Sequence, residues 1–292
     1  MTKATGNSWQ IIFAPLNGDN DRLCDFLEGY FGVMACNYTE DEKEEYVGYA
    51  ANPIDEIALK RAAAEAEISL PDYRIEFVPA TNWLTKNVIK FPPLITEHFC
   101  IYGIHEEKIP APEKLALKIY AATAFGSGQH QTTRCCLQLL EKLNDRGIKA
   151  DKILDMGCGS GILALSALKL WKNASAVAAD IDEEAVIVAL QNAADNNLSE
   201  RFNAAAGDGY RNALVLQNAP YGLIFSNILA RPLIEMAPSL AAALSLGGYA
   251  VLSGFIDEQT DWVLEAHRRC GLQEVEIIGI ENWRAALMEK VK

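Results

Sequence analysis

The sequence predicts an α/β protein, with a doubly wound, mostly parallel sheet preceded by a small α/β unit of ferredoxin-like type. Three observations predict it. Residues 151–182 read as strand, glycine loop, helix and strand. From residue 115 onward, apolar runs of strand length alternate with helical periodicity, the pattern of a parallel sheet with crossover helices. The first hundred residues differ from the rest and hold two shorter βα units.

Taken in order, residues 9–14 form a strand, and residues 21–31 have helical spacing that puts Leu23, Phe26, Leu27 and Tyr30 on one face. Residues 46–51 are a second strand. Residues 54–66 are a helix, entered at Pro53 and rich in Ala and Glu, and residues 74–79 alternate as a strand. The acidic run at 40–45 is a solvated loop. A connector follows, stiffened by Pro92-Pro93, pinned by Trp83 and ended by Pro110 and Pro112. Beyond it come a strand at 115–120, a helix at 132–144 and a strand closing on Asp155. Then come the glycine loop, a helix at 162–170 and a strand at 174–179 that stops at Asp180. A helix at 183–196 has Asp182 as its N-cap. Further strands are expected at 202–206, 222–226 and 249–253, and further helices at 228–244 and 258–270. The domains expected are 1–80, a linker at 81–112, and 113–292.

Composition bounds the function. At 292 residues, half of them hydrophobic, the chain can build two cores without staples. No apolar run reaches the length of a membrane span, and the first residues carry no signal-peptide pattern. Seven scattered cysteines with no C-x-x-C pair suggest neither a disulfide framework nor a zinc site, so a reducing cytoplasm is expected. The net charge is −13, and both halves are acidic. With no basic cluster to grip a phosphate backbone, direct nucleic-acid binding is not expected. A basic protein is the partner this field would steer in.

The chemistry starts at the glycine loop. Gly157, Gly159 and Gly161 fall at every second position of a strand-to-helix turn, where the absence of Cβ lets backbone approach a ligand. Asp180 ends the next strand, where an acid can accept both hydroxyls of a ribose. A nucleoside site is implied. The dinucleotide pattern G-x-G-x-x-G is not met, because Ile162 stands where its third glycine belongs, and no Gly-Lys-Ser/Thr ending marks a triphosphate loop. Asn227 follows the apolar run Leu223-Ile224-Phe225, at a strand's carboxyl end, and its amide offers both donor and acceptor. Asp208 ends another strand, either as an adenine contact or as a turn residue. No metal-binding cluster of His, Cys and acids is read from the sequence.

The stretch from Asp155 to Asp180 resembles motif I of the class I S-adenosylmethionine-dependent methyltransferases. The segments AFGSGQHQTT (from Ala124), DMGCGSGILA (from Asp155) and NILARPL (from Asn227) resemble, in that order, the signatures of the ribosomal protein L11 methyltransferases, PrmA-type. The likeness is strong from Ala124 to Gly254 and weaker before. Ser127 stands where that family commonly has Thr, and Gln131 where it commonly has Pro. The resemblance implies a Rossmann-like methyltransferase domain after a small substrate-recognition domain. It implies methyl transfer from S-adenosylmethionine to lysine ε-amines and the N-terminal α-amine of the eleventh large-subunit ribosomal protein. By match of position, Thr133, Gly157, Asp180 and Asn227 contact the cofactor, with Phe125 and Gly159 as further candidates. No catalytic group is assigned; His130 is a candidate base within a Gly-rich loop. The alternatives are a methyltransferase for another amine, on another protein or a small molecule, and a non-catalytic adaptor that keeps the fold.

Overall fold

The computed structural model describes residues 8–14, 21–31, 34–38, 44–50, 52–78, 91–120 and 131–292. The chain divides into two compact units, Met1–Lys86 and Asn87–Lys292.

The first unit runs β1 (Ser8–Phe13), α1 (Asp21–Phe31), β2 (Met34–Tyr38), β3 (Glu44–Ala50), α2 (Glu56–Glu65), β4 (Tyr73–Val78). Its strands lie in the order β2-β3-β1-β4, all antiparallel, which with the β-α-β-β-α-β sequence is the ferredoxin-like arrangement. Ile11 and Phe13, two apart on β1, meet Leu23 and Leu27 of α1 and Leu59 of α2 in one core. Three details differ from the sequence reading. The acidic run at 40–45, expected as a loop, has Glu44 and Glu45 in β3, paired with Tyr38 and Asn37 of β2. Strand β2 was not expected, because MACNY is short and shows no clear alternation. Helix α2 starts at Glu56, two residues later than expected, behind the N-cap Asp55, whose Oδ1 accepts the Ile57 and Ala58 N–H groups at 3.0 Å each.

The second unit opens with β5 (Leu94–Ile95), β6 (Phe99–Gly103) and β7 (Leu115–Ile119), which pair as a separate three-stranded sheet. Residues 91–112, expected within the linker, are therefore folded here. Their prolines punctuate strands that are too short to show periodicity. Next come α3 (Gln131–Asp145), β8 (Lys152–Met156), α4 (Ile162–Leu170), β9 (Ser175–Asp180), α5 (Glu183–Asp195) and β10 (Phe202–Ala206). The chain ends with α6 (Ala213–Asn218), β11 (Tyr221–Asn227), α7 (Ala230–Ala243), β12 (Leu244–Ile256), α8 (Thr260–Arg269), β13 (Leu272–Ile280) and β14 (Trp283–Lys290).

These strands make a seven-stranded sheet in the order β10-β9-β8-β11-β12-β14-β13. The first five are parallel, and β14 runs antiparallel to both its neighbours. Alternation sorts the core into two layers. Ile153, Ala176, Ala178, Leu223 and Phe225 pack with α3, α4 and α5. Leu154, Val177, Ala179 and Ile224 pack with α6, α7 and α8. The chain proceeds outward from β8 to β10, then returns to lay β11 on the other side of β8. That reversal opens a crevice at the carboxyl ends of β8 and β11. Among the described residues, no helix is long and apolar enough to cross a membrane.

Charged side chains close the open ends of two helices. Arg201, half-buried, donates to the carbonyls of Leu168, Trp171 and Ala174 at 2.9–3.1 Å, just where α4 runs out of partners. Lys290 does the same for α7 through Ala241 and Leu244, at 2.6 and 2.8 Å. Replacing Arg201 with Ala removes one donor from each of three carbonyls, of which Trp171 O keeps the Ala174 N–H at 3.0 Å. A stability loss of about 2 kcal/mol is expected from lost charge-assisted bonds. Urea unfolding should show a lower midpoint with unchanged slope; an unmoved midpoint would refute the capping role.

Candidate functional site

The crevice is built from the residues that leave the strands. After β8 the chain turns through Gly157, Gly159 and Gly161, all at positive φ (73°, 51° and 77°). The turn is tied down at once: Gly157 and Cys158 donate their N–H groups to Ala179 O at 2.8 and 3.1 Å. Gly161 is the left-handed residue from which α4 starts, and a Cβ there would press on Ala189 of α5 at 3.1 Å. A Cβ on Gly157 would lie 2.2 Å from Ile228 Cγ2, so the loop needs glycine here as much for the neighbouring chain as for a ligand.

Two carboxylates serve the loop in different ways. Asp155 is buried and its Oδ2 accepts Ala164 N–H at 3.0 Å, in the first turn of α4. Burial pushes its carboxyl up to about 7, the Ala164 hydrogen bond opposes the rise, and the nearby Asp180 charge adds to it. Asp180 is half-buried at the tip of β9. Its Oδ2 accepts Gly159 N–H at 2.9 Å and its Oδ1 accepts Asp182 N–H at 3.1 Å. A carboxylate offers about four lone-pair sites, so each oxygen keeps capacity for a further donor. Ile181, next in sequence, is 85% exposed and presents an apolar surface beside that acid.

Across the crevice, Asn227 ends β11. Its Nδ2 lies 3.4 Å from Thr133 Oγ1, and its Oδ1 is buried with no hydrogen-bond partner among the described residues. Thr133 is itself buried in the first turn of α3. Of the residues singled out from sequence, the structure thus brings Thr133 to Asn227 and Gly159 to Asp180. Gly157 meets Ile228, the residue after Asn227. Asp208 ion-pairs with Arg211 at 3.0 Å on an exposed turn. Phe125 and His130 lie outside the described residues. Asn192 and Ser160 escaped the sequence reading: Asn192 Nδ2 donates to Ser160 O at 2.9 Å from a fully buried position. The available signal was an amide on the apolar face of α5, between Ala189 and Ala193. Elsewhere, Glu97, His98 and Asp145 bring three donor atoms within 4.8 Å of one another, but His98 and Asp145 already pair at 2.8 Å. That group sits by the far end of α3 from Thr133.

A family model described as ribosomal protein L11 methyltransferase (PrmA) matches residues 32–291. The ribosomal protein L11 methyltransferase of Brucella abortus (strain S19) is 35% identical over 282 residues, covering 94% of this chain and 97% of that one. Its counterpart from Caulobacter sp. (strain K31) is 33% identical over 286 residues, covering 96% and 97%. The crystal structure of ribosomal protein L11 methylase from Lactobacillus delbrueckii subsp. bulgaricus aligns with a TM-score of 0.59 at 25% identity, over 68% of this chain and 96% of that one.

The raised Asp155 carboxyl makes stability depend on pH. A folded-state pKa above the unfolded value of 3.8 gives stability that is whole below 3.8 and is lost as pH rises through about 7. The ligand-free protein should therefore melt progressively lower as pH rises from about 4 to about 7, and level off above that. Asp155→Asn, which keeps an acceptor for Ala164, should flatten that slope. Parallel melting curves for the two proteins would refute the assignment.

Proposed function

The chain belongs to the ribosomal protein L11 methyltransferase family, and from that premise we propose that it transfers methyl groups from S-adenosylmethionine to the lysine ε-amines and N-terminal α-amine of ribosomal protein L11. One observation carries the cofactor site. The Asp180 carboxylate, anchored through Gly159 and Asp182, keeps lone pairs on both oxygens at the mouth of the glycine loop. That is an acceptor pair for two ribose hydroxyls. Exposed Ile181 beside it supplies an apolar face for a base. The Asn227 Oδ1, without a partner among the described residues, supports the fit, since a buried acceptor is costly until something donates to it. Thr133, Gly157 and Gly159 complete the described part of the cofactor set, and Phe125 belongs to it by family match.

S-adenosylmethionine, when bound, supplies a methyl group already activated by its sulfonium. The chain's work is then to orient the amine, exclude water and admit it uncharged. Deprotonating a lysine of pKa ~10.4 at neutral pH costs roughly 4 to 5 kcal/mol, and an α-amine about 1. An apolar crevice lowers that cost by disfavouring the ammonium. Leu229, 72% exposed immediately after Asn227 and Ile228, contributes such surface. The acidic chain favours arrival of a basic substrate, and we assign its recognition to the N-terminal unit. Cys24, Cys100, Cys135, Cys136, Cys158 and Cys270 are free thiols, which suits a reducing cytoplasm.

Asp180→Ala should weaken S-adenosylmethionine binding at least about thirtyfold, the equivalent of one strong charge-assisted contact or more. Titration calorimetry with unchanged affinity would sink the cofactor site. Mass spectrometry of ribosomes from cells lacking this protein should show ribosomal protein L11 alone losing methyl groups. Loss on a different protein instead would redirect the substrate reading.

A further inference from the structure

Asn192 divides one amide between two segments of chain. Its Oδ1 accepts Tyr120 N–H at 2.7 Å, while its Nδ2 donates to Tyr120 O at 3.1 Å and to Ser160 O at 2.9 Å. The side chain is fully buried, and its orientation is fixed because one end faces an N–H and the other faces two carbonyls. Ser160 lies between Gly159, whose N–H holds Asp180, and Gly161, which starts α4. Tyr120 directly follows β7, and Thr133, in the first turn of α3, lies against Asn227.

One turn along α5, Asn196 makes the same exchange with Lys118, accepting its N–H at 2.9 Å and donating to its carbonyl at 2.6 Å. The spacing matches: four helical residues rise about 6 Å and two strand residues about 6.6–6.8 Å. The two amides therefore stand in for a neighbouring strand along the open edge of β7. They differ in one respect. The second donor bond of Asn196 goes to Asn192 O, within α5 itself, whereas that of Asn192 reaches the glycine loop. Satisfying a strand edge needs both residues alike; holding the loop needs only Asn192.

We propose that Asn192 is a positioning residue for the S-adenosylmethionine site, fixing the glycine loop to the end of β7 at Tyr120. It touches neither cofactor nor substrate and acts through Ser160 and Tyr120. The inference rests on the cofactor reading above.

Asn192→Ala and Asn196→Ala, in the full-length chain, test it. Both lose edge bonds, so both should unfold at lower temperature. Well below both midpoints, Asn192→Ala should raise the S-adenosylmethionine Kd and KM at least about tenfold, with kcat at saturating cofactor within threefold, because positioning is lost and not chemistry. Asn196→Ala should leave Kd within threefold. Equal changes in the two variants would reduce Asn192 to an edge-filling residue and overturn the proposal. If Asn192→Ala does not fold, Asn192→Ser, which keeps a hydroxyl for one bond, is compared with Asn196→Ser on the same terms. A wild-type protein that takes up no S-adenosylmethionine overturns the cofactor reading and the inference with it. Wild-type binding with an unaltered variant overturns the inference alone.

Discussion

Ile228 passes between two glycines, and the geometry of the crevice follows from that. The Cβ position of Gly157 is 2.2 Å from Ile228 Cγ2, and that of Gly254 is 2.1 Å from Ile228 O. Both glycines are at positive φ, at 73° and 94°. No side chain fits on either side, so the chain leaving β11 is forced flat across the ends of β8 and β12. Its hydrogen bond from Ile228 N to Ser253 O, at 3.1 Å, holds that course. Asn227 is thereby fixed with its amide toward Thr133, and the glycine loop cannot drift away from β11. Sheet order makes this possible: β11 is neighbour to both β8 and β12. The reversal point of a doubly wound sheet is thus a tight junction as well as a crevice.

Asp155 and Asp180 divide the electrostatic work by burial. Asp155 is enclosed against the first turn of α4, where a helix N-terminus favours negative charge but burial resists it. The outcome is a carboxyl near its titration point at neutral pH. Asp180 is only partly buried, and both its oxygens hold backbone N–H groups. The Asp180 charge raises the cost of ionising Asp155, so a positively charged ligand nearby would favour ionised Asp155. S-adenosylmethionine carries such a charge. Binding and the protonation of Asp155 are then linked in the same way that folding and its protonation are.

What was legible in the sequence was what is decided locally. The glycine loop, Asp180 and the Asp182 cap are set by residues within a few positions of one another. They read correctly as strand, turn and helix ends because Gly and Asp have few other uses there. Asn227 was legible from the apolar run before it. The rest depends on partners far away in sequence. Ala285, Ala286, Leu287 and Met288 are good helix formers, yet they are a fully buried strand, since the sheet needs a residue row between β12 and β13. Strand β2 exists because β3 lends it a ladder. Residues 91–112 read as connector because strands of two and five residues carry too little pattern.

Asn192 is the extreme case of that dependence. Read alone, an asparagine in an alanine-rich helix lowers helix propensity and marks nothing. Its meaning comes from Tyr120, 72 positions before it, and Ser160, 32 positions before it. A buried amide with its bonds unmade costs more than the bonds return when made. An apolar residue here would fill the helix face equally well but remove the bonds that Tyr120 and Ser160 make to the amide. The amide is therefore required by what surrounds it, whatever α5 itself would prefer. The same logic holds for Arg201 at the end of α4 and Lys290 at the end of α7, each a charged residue explained by carbonyls that another part of the chain leaves open. In this fold the apolar pattern builds the layers. The polar residues that look misplaced in that pattern join one layer to the next, and the crevice lies where those joins converge.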